Sequence, residues 1–80
     1  MKLTTNEKII LKNLDSRLKW IARDKDGNLW VYVTKPVLVK DKESSYYAGL
    51  DARNFPFSKL FTFIEVDDEK PYKISELLEE

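Results

Sequence analysis

The chain has 80 residues, 42% of them hydrophobic and 35% charged, with only two glycines and three prolines. That balance belongs to one folded domain, 1–80, which buries roughly 60 to 65% of the surface its unfolded form exposes. Cysteine and histidine are both absent, which excludes disulfides, thiolate nucleophiles and Cys-ligated zinc and removes the commonest general base and metal ligand.

Charge is balanced overall but divided along the chain. Residues 1–42 carry ten Lys/Arg against five Asp/Glu, and residues 43–80 carry four against nine. The two halves either pack together and neutralise each other or orient a partner in their field. The N-terminal "MKLTTNEKIILKNLD" lacks the unbroken apolar run of a signal peptide, and no stretch approaches the ~20 apolar residues of a membrane span. A cytoplasmic protein with no membrane partner is expected.

Thr4 followed by Glu7 fits a capping box, and Leu3, Ile10, Leu11 and Leu14 form an apolar stripe, so a helix is expected from about Thr5 to Leu14. Asp15-Ser16-Arg17 breaks the pattern. "KWIARDKDGNLWVYVT" then places aromatic and β-branched residues on both sides of a polar cluster with Gly27, the pattern of a β-hairpin. A third strand, "VLVK", follows Pro36. From Asp41 to Asn54 the chain is polar and aperiodic and reads as a long loop, a feature more often functional than not in compact domains. After a turn at Pro56, Leu60 to Val66 reads as a strand with Phe61 and Phe63 on one face and Thr62 and Ile64 on the other, with a helical turn at Ser58-Lys59-Leu60 as the competing reading for its first residues. Ile74, Leu77 and Leu78 mark a short C-terminal helix that Ser75 could cap. The fold class is α+β: a small antiparallel sheet of three to four strands with an N-terminal helix and a short C-terminal one.

Asp24, Asp26 and Asn28 stand at positions 1, 3 and 5 of a would-be calcium loop. The loop also needs glycine at position 6 and glutamate at position 12, which here are Leu29 and Lys35. A three-residue hairpin loop explains the same residues: a type I turn on Lys25 and Asp26 with Gly27 in the left-handed region. Asp24 then faces Asn28, Arg23 faces Leu29, Ala22 faces Trp30, Ile21 faces Val31 and Trp20 faces Tyr32. One face holds Ile21, Leu29, Val31 and Val33, for the first helix to cover. The other holds Trp20, Ala22, Trp30 and Tyr32, which are either a recognition platform or a core under the C-terminal helix or the Phe55/Phe57 loop.

No set of residues has the make-up of a catalytic, metal or cofactor site, and the protein reads as a non-enzyme. The candidate partner-binding residues are Tyr46, Tyr47, Arg53, Phe55 and Phe57, interface-type side chains on the long loop. The acidic stretch Glu65, Asp67, Asp68 and Glu69 joins them, since it could imitate the phosphates of a nucleic acid. Nucleic-acid binding would instead use Lys19, Arg23, Lys35, Lys40 and Lys42 beside Trp20 and Tyr32, with bases stacked on the aromatics.

"LKWIARDKDGNLWVYVTKP" together with "FPFSKLFTFIEVDDEKPYKISELL" resembles a group of short proteins of phages and prophages of Gram-positive bacteria. The shared pattern is K-W-I-A-R-D-x-D-G-x-L, an aromatic-Y-x-x-K-P segment, F-P-F, F-x-F-I and an acidic turn ending in I-x-x-L-L. It covers most of residues 18–78 but leaves out the middle stretch "VLVKDKESSYYAGLDARN". The resemblance brings no catalytic residue. It implies a setting, in which a phage-encoded protein binds and inhibits a host protein, such as a defence-system component (anti-CRISPR proteins are of this kind) or a nucleic-acid enzyme, by covering its surface. A nucleic-acid-binding accessory protein and a structural or assembly component of the phage particle are the alternatives, and a free sheet edge would allow a homodimer.

Overall fold

A computed structural model describes residues 3–40, 45–66, 68 and 70–79. In chain order the elements are α1 (Thr5–Lys12), β1 (Trp20–Arg23), β2 (Leu29–Tyr32), β3 (Val37–Lys40), β4 (Ser45–Ala48), β5 (Arg53–Phe55), β6 (Tyr72–Lys73) and α2 (Ile74–Glu79). Four strands form one antiparallel sheet in the order β5-β2-β1-β6, and β3 pairs with β4 in a separate two-stranded sheet. The α+β class with helices at both ends is as the sequence reads. Among the described residues no helix is long and apolar enough to cross a membrane.

The central hairpin has the register that its turn chemistry dictates: Trp20 opposite Tyr32, Ile21 opposite Val31, Ala22 opposite Trp30 and Arg23 opposite Leu29. The Asp24 amide donates to the Asn28 carbonyl at 2.9 Å, the Gly27 amide donates to the Asp24 carbonyl at 2.9 Å, and Gly27 has φ +90. Only glycine adopts that backbone without strain, so Gly27 fixes the turn and the turn fixes which side chains share a face. Asp26 Oδ1 accepts the Asn28 amide and Asp24 Oδ1 accepts the Tyr47 amide. The carboxylates that a calcium loop would use as ligands therefore bond the chain itself.

The aliphatic face of the sheet carries the main core. Ile21, Leu29, Val31 and Phe55 meet Leu3 and Leu11 from the N-terminal end, Ile74 and Leu77 from α2, and Phe61 and Ile64. The capping box of α1 is present, with Thr4 Oγ1 accepting from the Glu7 amide and the Glu7 carboxylate accepting from the Thr4 amide. The helix ends at Lys12, two residues before the expected Leu14, and Asn13 caps it by donating from its side chain to the Ile9 carbonyl. Ser75 is the second residue of α2 and so does not cap it.

The strand expected from Leu60 to Val66 is a series of turns. The Leu60 amide donates to the Phe57 carbonyl and the Ile64 amide to the Phe61 carbonyl, a spacing of three in place of a ladder. Phe61 has φ 56 and is fully buried, as is Ile64. A left-handed backbone at a bulky residue costs on the order of 1–3 kcal/mol and persists only where its surroundings impose it. Two charged side chains impose it here. Glu7, itself only 6% exposed, accepts the Phe61 amide on Oε2 at 2.6 Å. Arg23 donates from Nε to the Ile64 carbonyl, from Nη1 to those of Gly27 and Ser58, and from Nη2 to those of Leu60 and Phe61, at 2.6 to 3.2 Å. Every N–H of the guanidinium has one carbonyl, a complete use of its fixed fork. Burial alone pulls the Arg23 pKa down, and the guanidinium nonetheless keeps its charge.

The long loop expected from Asp41 to Asn54 also holds more structure than its composition suggests. It contains β4 and the first two residues of β5, and β4 closes a second hairpin with β3. Tyr47 and Leu38 of that hairpin pack on Ala22 and Tyr32, beside Trp20 and Trp30. The second hairpin therefore covers the aromatic face, and α2 lies on the other side of the sheet. Gly49 admits this packing: a β-carbon there would stand 3.0 Å from the Tyr32 ring and 3.2 Å from Pro36 Cα.

Arg23→Lys replaces five fixed donors with three on a flexible stem and leaves buried carbonyls unpaired. Chemical denaturation is expected to show a loss of about 2–4 kcal/mol, with early proteolysis of residues 57–66, whereas a replaceable surface arginine would change stability by under ~0.5 kcal/mol.

Candidate binding surfaces

The candidate residues separate into those that hold the fold and those that face solvent. Tyr47 and Phe55 are buried at 8% and 3% exposure. Tyr47 seats the second hairpin, and Phe55 pairs with Leu29, with its ring 5.0 Å from Phe57 and 5.5 Å from Phe61. Both therefore pack in the core: alternation along β4 turns Tyr47 inward and Tyr46 outward, and the chain turns after Phe55, with the Phe57 amide donating to the Phe55 carbonyl, so that Phe57 lies beyond β5. Tyr46, Arg53 and Phe57 are exposed. Glu65 is exposed, and Asp68 is half-buried with Oδ2 accepting both the Glu65 amide at 2.9 Å and the Tyr72 hydroxyl at 2.7 Å. Asp68 is thus a turn-forming carboxylate. Asp67 and Glu69 lie outside the described residues.

Of the residues proposed for a nucleic-acid surface, Lys35 and Trp20 are brought together, but Tyr32 and Arg23 are not part of that cluster. Tyr32 is buried and Arg23 is fully engaged with carbonyls on the opposite face of the sheet. Lys42 lies outside the described residues. Burial raises the Tyr32 phenol above its ordinary pKa, with Asp24 and Tyr47 adding to the effect.

Two surfaces remain. On the β3–β4 hairpin, Val37 opposes Ala48 and Val39 opposes Tyr46. Leu38 and Tyr47 point to the sheet, so Val37, Val39, Tyr46 and Ala48 form the outer face. Val37 is 66% exposed and Tyr46 47%, and Leu50 just beyond β4 is 67% exposed. None of these side chains is charged. Sequence reasoning placed Val37 and Val39 on a strand but missed the face, although "VLVK" and "SYYA" around four polar residues are a hairpin signal.

The second surface lies where β6 meets β1. Lys73 is the cross-strand partner of Trp20 and shares its face. Lys35 Nζ stands 5.6 Å from the centre of the Trp20 ring, and Lys70 Nζ stands 5.2 Å from that of Tyr72. An open cleft of about 430 Å³ runs between Trp20, Lys70, Pro71, Tyr72, Lys73 and Glu76. Trp20 is partly exposed in it, and the exposed Lys70 and Lys73 line it.

No protein-family model, curated protein or solved structure matches this chain. The surfaces themselves carry the functional argument.

Tyr72 links the cleft to stability at high pH. Burial, reinforced by the hydrogen bond to Asp68, pushes its phenol up to about 12. Below the ordinary tyrosine value both the folded and unfolded forms keep the proton. Between about 10 and 12 the unfolded form ionises first, so stability falls as pH rises through this window. Tyr72→Phe is expected to flatten the decline of the denaturation midpoint across that range, and an unchanged slope would show that Tyr72 does not contribute to it.

Proposed function

We propose that this protein works by binding, without catalysis, and that it inhibits a partner protein by occupying its surface. In the setting that the sequence resemblance implies, the partner is a host protein and the inhibitor is encoded by a phage. The outer face of the β3–β4 hairpin carries this reading: Val37, Val39, Tyr46 and Ala48, next to Leu50, make an uncharged apolar patch on a rigid two-stranded support. Contiguous exposed apolar surface on a small protein marks an interaction site, and tyrosine is a residue type enriched in such sites. Arg53 and Phe57 are exposed on and after β5 and supply the polar and aromatic rim of a larger footprint.

The buried Glu7 and the half-buried Arg23, Asp24 and Asp68 each have a structural task. Arg23, Glu7, Asp24 and Asp68 bond backbone or side-chain groups of the chain. The hairpin face offers a partner shape and apolar surface, which is all that occlusion needs.

Immobilised protein and a lysate of the bacterial host supply the test. One host protein retained at about equal stoichiometry is expected, with retention lost at least about tenfold when Val37→Lys and Tyr46→Ser are combined. Retention unaffected by those changes, or retention of nothing but nucleic acid, contradicts the proposal.

A further inference from the structure

We propose that the cleft beside Trp20 is a second binding site, and that it takes single-stranded nucleic acid through one stacked base and the phosphates that flank it. The inference is independent of the hairpin face and shares no residue with it. Trp20 has Lys73 beside it across the β1–β6 ladder and Lys35 over its ring, and Lys70 lies over the neighbouring Tyr72. Lys35 and Lys73 thus flank the Trp20 ring on the aromatic face of the sheet edge, while Tyr72 and Lys70 lie towards the other face. None of the three lysines has a carboxylate partner among the described residues. Lys70 and Lys73 line the cleft with one acidic side chain, Glu76, and Asp68, which accepts the Tyr72 hydroxyl, stands on the Tyr72 side away from Trp20.

The combination of chemistries selects the ligand. A phosphate or an acidic peptide would use the lysines and leave the indole face without a role. A nucleobase stacks on an aromatic face while its backbone places anions on either side, which is how sequence-tolerant single-strand binders work. The open cleft beside Trp20, Pro71 and Tyr72 gives a base an apolar wall to lie against. Two or three neutralised phosphates give a modest salt dependence, with a logarithmic slope of about −1.5 to −2.

Fluorescence anisotropy of a labelled oligothymidylate about twelve nucleotides long tests the site. Saturable binding at low salt is expected, weakening with the slope just given. Lys35→Glu combined with Lys73→Glu should reduce affinity at least about tenfold with an unchanged thermal midpoint, since both lysines are exposed. Trp20→Phe should retain binding and Trp20→Ala should lose it, while polyglutamate should not displace the oligonucleotide. The Val37→Lys, Tyr46→Ser protein should bind the oligonucleotide as the wild type does, which separates this site from the hairpin face. Absence of saturable binding, equal binding by the doubly charge-reversed protein, or displacement by polyglutamate would overturn the proposal, the last by showing an acidic-peptide site.

Discussion

The peptide group of Phe61 is held between opposite charges: its amide donates to the Glu7 carboxylate and its carbonyl accepts from the Arg23 guanidinium. Residues 57–66 pair with no strand, so they cannot satisfy their backbone groups in a ladder, and buried groups left unpaired would cost more than the segment gains. Glu7 comes from α1 and Arg23 from the end of β1, which makes the grip a three-way joint between helix, sheet and turns. Phe61 and Ile64 are driven into the core by this joint, and the core closes around them.

The remainder of the architecture follows. With one face of the sheet filled by α1, α2 and the turn segment, the aromatic face has only the β3–β4 hairpin to cover it, and that cover is partial. Tyr32 is sealed, while Trp20 and Trp30 stay partly exposed at its margins. Among the described residues no further layer lies above the two-stranded hairpin, so its outer side chains Val37 and Tyr46 are exposed. Both proposed surfaces arise from this one shortage: an 80-residue chain has too few elements to bury two faces of a sheet and a hairpin as well.

Local chemistry was legible in the sequence wherever a few neighbouring residues decide the outcome. The Thr4–Glu7 capping box, the Gly27 turn and the full register from Trp20–Tyr32 to Arg23–Leu29 were all readable because each depends on near neighbours. The turn segment was not. "LFTFIEV" alternates like a strand, and the cause of its different fold lies 38 and 54 residues away, at Arg23 and Glu7. Reading Arg23 as a phosphate ligand failed for the same reason, since nothing near it in sequence reveals five carbonyls converging on it. In the candidate site, Tyr46 was separable from Tyr47 only once β4 was known to be a strand, because alternation then decides which faces outward, and Phe57 from Phe55 only once the chain was seen to turn after β5.

Amide hydrogen exchange at Phe61 tests the central claim most directly. If Glu7 and Arg23 hold this segment as part of the core, the Phe61 amide exchanges only through global unfolding, as slowly as the best protected amides of β1 and β2. Exchange of Phe61 at the rate of an open surface loop, with the sheet still protected, would contradict that account.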